Sequence, residues 1–242
     1  MGLFKTKPNV GLADNYSDGT DGRNSWYGDR YVVPVGIGRA SAAEEGSYYV
    51  GMNPTIGTAI VGHVAPAIAD NDDTPLKSLL HIHNAGQRFI SMDYVKLTLE
   101  VVNASSTSTN FVSFVDNHGS SSRTSGGTAI TPKSTRSDQP FTTGASVYFG
   151  AVAVVTSTAA KVGQWTVRPV IAVTEDQYHF RFGDAAALNA HGVITGTTVA
   201  SVLVSCAPVV IAPGGNFHLC EANPSGAATG ATYEFEFGYW ER

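Results

Sequence analysis

The last eleven residues, Thr232–Arg242 (TYEFEFGYWER), alternate large apolar and polar side chains almost without a break. Successive side chains on a β-strand point to opposite faces, so Tyr233, Phe235, Phe237 and Tyr239 would share one face, with Glu234 and Glu236 on the other. A helix would scatter the same residues around its surface. Such a segment is comfortable only in a sheet with one buried face. Met92–Val102 repeats the pattern, with Val95, Leu97, Leu99 and Val101 pointing one way and Tyr94, Lys96, Thr98 and Glu100 the other.

Further strands are expected at Phe111–Val115, Ser146–Val155, Gln164–Thr174, Gln177–Phe182, Val199–Ile211 and Asn216–Glu221, with a short apolar run at Thr58–Ala65. In Gln177–Phe182, Tyr178, Phe180 and Phe182 oppose His179 and Arg181. Thr74 and Pro75 read as an N-cap and first helical position, for at most one turn that leads into a strand through His83. Ala212–Gly215 is a tight turn, and the polar segments 116–140 and 183–197 read as long loops. Roughly nine or ten strands with almost no helix define an all-β chain, an antiparallel β-sandwich or jelly roll over residues 56–242.

The other end of the chain is different. Residues 1–55 are rich in Gly, Asp, Asn and Ser and read as an extended N-terminal arm. Asn15–Gly22 is turn chemistry, and Tyr31–Ile37 would make one short edge strand, where Pro34 is tolerated. Fixing a backbone residue costs about 1–2 kcal/mol, so ordering an arm of about fifty residues costs tens of kcal/mol. Leu3, Phe4, Tyr16, Trp26 and Tyr27 would each recover about 1.5–3 kcal/mol if buried. The expectation is an arm that takes its shape from neighbouring subunits, with those five side chains as anchors.

Composition narrows the partners. Only 14% of the 242 residues are charged, against the usual quarter or so, while 43% are hydrophobic. That balance suits a surface largely covered by other chains, in a homo-oligomer or a larger assembly. The net charge is −5 and the fifteen Lys and Arg are dispersed, so no basic patch exists to release counterions from nucleic acid. No apolar stretch is long enough to cross a membrane as a helix, and Met1–Pro8 lacks the apolar core of a signal peptide. Met1–Thr6 matches the N-myristoylation pattern; acylation requires loss of Met1, and the match is read as coincidence. Cys206 and Cys220 fall in consecutive expected strands. They would either bond across a sheet or serve as small buried residues of a protein made in a reducing cytosol, and composition favours the second.

The residues that most invite a chemical reading are His81 and His83, which on a strand share a face and would both reach one metal. His218 follows the Pro213-Gly-Gly turn. Together these histidines resemble the two-part signature of cupins, which are metal-binding jelly rolls. The chain departs from that signature at Gln87, where a Glu is usual, at Pro75 in place of a Gly, and at Ala222 in place of an Asn. About 135 residues also separate the two halves, more than that family allows. The histidines are therefore read as separate strand residues, with no metal or cofactor expected. Asp70, Asp72 and Asp73 read as a solvated loop. No nucleophile elbow, phosphate-cradling glycine loop or Cys-x-x-Cys pair is present, so no catalytic residue is assigned and the chain is not expected to be an enzyme. Glu234 and Glu236 are expected to meet cross-strand partners such as Arg181.

Several segments resemble virion proteins of tailed bacteriophages: Pro75–Asn84, Phe89–Leu97, Ser122–Pro132, Pro208–Gly215 and Tyr233–Arg242. The resemblance spans residues 75–242 and leaves the arm uncovered. It implies a non-enzymatic, β-rich structural protein, of the kind that decorates (cements) the capsid by clamping neighbouring subunits of the major capsid protein. It also implies location in the virion, assembled in the host cytoplasm. The alternative is a tail or fibre component whose jelly roll binds host glycans through the loops 116–140 and 183–197.

Overall fold

The structure, a computed structural model, describes residues 22–24, 30–32, 43, 46–62, 77–102, 109–117, 119–138, 142–155, 159–168, 172–183, 198–222 and 231–242. The expected anchors Leu3, Phe4, Tyr16, Trp26 and Tyr27 lie outside the described residues, as do Asp70, Asp72, Asp73, Thr74 and Pro75. The chain divides into two units, Met1–Ala42 and Ala43–Arg242. In the first, β1 (Gly22–Asn24) and β2 (Arg30–Val32) pair antiparallel, with Arg23 opposite Tyr31.

Among the described residues of the second unit the elements are all strands: β3 (Tyr48–Met52), β4 (Ile60–Val61), β5 (Lys77–Asn84), β6 (Ile90–Val101), β7 (Thr109–Asp116), β8 (Arg123–Ser125), β9 (Thr128–Ile130), β10 (Lys133–Ser134), β11 (Ala145–Val154), β12 (Ala160–Arg168), β13 (Gln177–Phe182), β14 (Ser201–Cys206), β15 (Val210–Ile211), β16 (Asn216–Ala222) and β17 (Thr232–Glu241). They form an eight-stranded sheet, with path β10-β3-β17-β6-β13-β14 plus β15 on β6 and β4 on β17. A seven-stranded sheet runs β12-β7-β16-β5-β11-β8, plus β9 on β11. The pairings are antiparallel except that of β13 with β14.

Leaving aside β11 and β14, which extend the two sheets beyond β5 and β13, eight long strands remain: β3, β5, β6, β7, β12, β13, β16 and β17. Numbered one to eight in chain order, they lie 1-8-3-6 in one sheet and 2-7-4-5 in the other. The alternation in the sequence dictates why these faces meet. Tyr233, Phe235, Phe237 and Tyr239 of β17 are all buried, and the rings of Phe235, Phe237 and Tyr239 succeed one another at 6.2 Å. Across the sandwich Phe149 stacks on Phe235 at 3.6 Å, and Phe111 meets Phe180 edge-on at 5.1 Å. Phe182 meets Phe217 at 5.6 Å, also edge-on. These stacked and edge-on contacts join two inner faces into one core.

β3 lies within the first 55 residues, yet it is the neighbour of β17 in the eight-stranded sheet, with Tyr49 opposite Tyr239 and the two rings stacked at 5.6 Å. Tyr49 carries this strand into the core out of a glycine-rich context, while Tyr48 stacks on Trp240 at 6.3 Å. Gly51 is required on the same strand, since a Cβ there would stand 2.2 Å from the Phe237 ring.

β6 departs from simple alternation twice. Tyr94 and Met92 face Gly238 and Tyr239, and Val101 and Leu99 face Thr232 and Tyr233, so Asp93 and Glu100 are extra residues in bulges. The first bulge delivers Asp93 to the Tyr48 hydroxyl, which donates to Oδ2 at 2.6 Å. The second turns Val101 out to solvent, at 53% exposure, instead of leaving it on the core face with Leu99.

The expected loop 116–140 contains β8, β9 and β10, and β8 and β9 extend the seven-stranded sheet at β11. The expected strand Gln164–Thr174 begins four residues earlier, at Ala160, in register with Val115 of β7. Cys206 and Cys220 are both free and buried, and they belong to different sheets, on β14 and β16.

Candidate functional site

The two sheets differ on their outer faces. That of the eight-stranded sheet carries half-buried Tyr94, Lys96, Thr98, His179, Arg181, Glu234 and Glu236, as expected of an antiparallel sheet with one wet side. Glu236 lies opposite Lys96 and accepts a hydrogen bond from the Tyr94 hydroxyl. Glu234 Oε1 accepts one from the Gly57 amide at 2.7 Å. Arg181 stands opposite Tyr94 on β13, a full strand away from β17, so it is not the direct cross-strand neighbour of either glutamate. Lys96, Thr98, Glu234, Phe235 and Glu236 line a shallow, open depression on this face.

The outer face of the seven-stranded sheet is covered over β5 and β16, and there the chain gathers its polar side chains. The turn Ala212–Gly215 sets the arrangement. Gly214 has φ 78°, a left-handed value that glycine adopts freely. Its amide donates to Asn84 O at 2.8 Å, while the Asn84 amide donates to Gly215 O at 2.9 Å. This clamp fixes the register of β16 on β5, placing Asn216 opposite His83 and His218 opposite His81. On β5, Leu79 and Leu80 both enter the core. The alternation therefore slips by one, and Ser78 joins His81 and His83 on the outer face.

The result is a pair of imidazoles with ring centroids 5.0 Å apart and Nδ1 atoms 3.3 Å apart. Ser78 Oγ lies 2.9 Å from Nδ1 of His218. Above the pair runs the segment Gly119–Gly127, whose Ser122 Oγ meets His218 Nε2 at 3.3 Å and whose Ser121 Oγ meets His81 Nε2 at 3.4 Å. Asn216 ties this segment down, accepting from the Ser122 amide at 3.2 Å and donating to Ser120 O at 2.9 Å. Arg123 spans the ring of Tyr148 at 3.8 Å. His83 turns away toward Asn216 Oδ1, at 3.1 Å, and Gln87 is exposed in the loop beyond.

Ser78, His81 and His218 each have 0% exposure. The Ser78–His218 distance is that of a nucleophile and its base, but no substrate reaches a pair closed on both sides. Burial, with His218, His83 and Arg123 adding to it, pushes the His81 imidazole down to about 2, and burial pushes His218 down to about 3. In this closed arrangement both rings are neutral. Among the described residues no three His, Cys, Asp or Glu side chains are gathered to hold a metal ion.

A second polar group lies inside the sandwich. Glu221 of β16 is hydrogen-bonded to the Tyr233 phenol of β17, and burial raises its carboxyl to about 7 against the lowering effect of that bond. Its Oε2 has no hydrogen-bond partner among the described residues. Beside it, the Tyr178 hydroxyl donates to Asp176 Oδ2 at 3.3 Å. Burial pushes the Cys206 and Cys220 thiols up to about 12, so neither is a thiolate at neutral pH.

The sequence pointed to His81, His83 and His218 and missed Ser78, Ser121, Ser122 and Asn216. Serines in a Ser/Gly-rich stretch carry no periodic signal. Comparison of the chain with models of protein families, with curated proteins and with solved structures finds no match.

Proposed function

We propose that the chain is a structural virion protein of the capsid-decoration type, and that its sandwich is a jelly roll. The observation that carries this is the strand order 1-8-3-6 against 2-7-4-5, the wiring of a double Greek key. That architecture serves viral capsid subunits, lectins and cupins. Metal chemistry of the cupin kind needs histidines open to a ligand, and here His81 and His218 are sealed beneath Ser121 and Ser122. Glycan binding by surface loops relies on exposed aromatic rings, and residues 117–138 and 183–197 contain no Phe, Tyr or Trp. A shell role also accounts for the 14% charge and agrees with the phage-like segments between residues 75 and 242.

In this role the body, which includes β3, seats on the shell and residues 1–42 reach neighbouring subunits, with Leu3, Phe4, Tyr16, Trp26 and Tyr27 as apolar anchors. Each contact is modest, and repetition around a symmetric shell multiplies them through effective concentration. The test is binding of the purified chain to shells assembled from the major capsid protein encoded in the same genome. Saturable binding is expected, with loss of at least tenfold in affinity when residues 1–30 are deleted. No binding of the full chain overturns the proposal, and equal binding of the deletion removes the arm from it.

A further inference from the structure

We propose that the segment Gly119–Gly127 is an acid-released strap that uncovers the outer face of the seven-stranded sheet when the imidazole pair beneath it takes up protons. The geometry carries this. The neutral pair holds two ring protons for four ring nitrogens, and between the two Nδ1 atoms, 3.3 Å apart, one ring donates and the other accepts. A third proton is accommodated if both Nε2 atoms donate to Ser121 and Ser122. A fourth sets two N–H groups against each other at the Nδ1 contact. The charge also has no water, since both rings have 0% exposure. The pair therefore charges only by opening, and the strap, which touches both Nε2 atoms, is wet on its other side: Gly119, Ser120, Ser121, Thr124, Ser125 and Gly126 are exposed.

The strap is tied along one side to β11, where Arg123 and Ser125 pair with Val154 and Ala153 and the Val155 amide donates to Ser122 O at 2.8 Å, so its release parts β8 from β11. Gly119, Gly126 and Gly127 have φ values of 75°, 72° and 72°, so glycine hinges bracket it. Gly119 backs onto Gly214, where a Cβ would lie 3.3 Å from the Gly119 backbone. The hydroxyl contacts that hold it to the imidazoles, at 3.3 and 3.4 Å, are at the long limit of hydrogen bonding.

The charged groups resolved around the pair oppose its protonation: His83 on β5 and Arg123 on β8. Asp116 on β7 stands opposite Asn216, two residues along β16 from His218, and the Tyr148 ring on β11 tilts against His81 at 6.5 Å. The Cys220 thiol on β16 is uncharged. The sign follows from burial. In the closed state both imidazoles are held far below their ordinary value of 6.5, and release to water raises them toward it. Each pH unit below 6.5 thus favours the open state by up to about tenfold per histidine, with about 10,000-fold for the pair at pH 4.5 as the upper limit, since the first charge opposes the second across the Nδ1 contact.

Hydrogen exchange read by mass spectrometry, with labelling times scaled for intrinsic pH dependence, tests the strap in the full chain. Between pH 7.5 and 4.5, peptides covering 119–127 are expected to lose protection at least tenfold, while those of β6 and β17 keep theirs. A variant carrying His81→Gln and His218→Gln keeps the strap protected at pH 4.5, and His118→Gln behaves as the parent. A strap still protected at pH 4.5 overturns the proposal. So does a strap that opens only together with β6 and β17, or one that opens at the same pH in the double variant. If the double variant does not fold, imidazole NMR of the unaltered protein decides. His81 and His218 are expected to protonate together at the pH where the strap opens, and independent titration of either near pH 6.5 refutes the device.

Discussion

A carboxyl group buried between two packed sheets has to keep its proton or meet a cation, and Glu221 meets the Tyr233 phenol. Its folded value of about 7 lies above the ordinary 4.5, so its contribution to stability is whole below about pH 4.5 and is lost as the pH rises through 7. The buried imidazoles have the opposite sign: they favour the fold above pH 6.5 and oppose it increasingly below. Replacing Glu221 by Gln leaves a neutral side chain of the same shape. Relative to the parent, this variant is expected to gain about 3 kcal/mol between pH 4.5 and pH 8, read from urea unfolding at the two pH values. A difference that does not change with pH would show that Glu221 is not held protonated. Nothing in the sequence marks this residue, because Glu221 ends a strand whose alternation is otherwise regular and its burial depends on the opposite sheet.

At the scale of elements, the strands with clean alternation were legible and the short polar ones were not. β13 and β17 fall where the pattern puts them, since period-two apolar runs of six to ten residues have no comfortable alternative. β8, β9 and β10 have two or three residues each and exist only because the edges of β11 and β3 offer backbone partners. The bulges of β6 belong to the same class, since an extra residue is defined only against the partner strand. β17 is central in its sheet, between β3 and β6, and Phe237 is fully buried between Phe235 and Tyr239 and over Gly51. Phe237→Ala is expected to cost about 3–5 kcal/mol, measured by chemical denaturation. A loss below about 1 kcal/mol would mean that the aromatic ladder is not what holds β17 in place.

For the whole molecule, the sandwich wiring brings chain segments together across long stretches of sequence: Tyr48 pairs with Trp240, and His81 with His218. Non-local pairing of this kind slows folding, and it makes the body a single cooperative unit. The division at Ala42 and Ala43 predicts that a chain beginning at Ala43 unfolds in urea at the same midpoint as the full chain. A clear fall in midpoint would mean that the first 42 residues brace the body, which leaves them less free to reach neighbouring subunits on a shell.

From the order of its residues alone this chain is committed to strands, to one apolar face on each long strand, and to a sheet protein without a long apolar helix. Those properties are local, fixed by side-chain alternation over a few residues. The histidines at 81, 83 and 218 were visible as chemistry but not as a pair, and the serines that close over them were invisible. Which strands are neighbours, where a bulge falls and which side chains are sealed from water depend on register between segments more than a hundred residues apart. Register comes from the fit of two buried faces and the hydrogen bonds between them, which no stretch of sequence contains by itself.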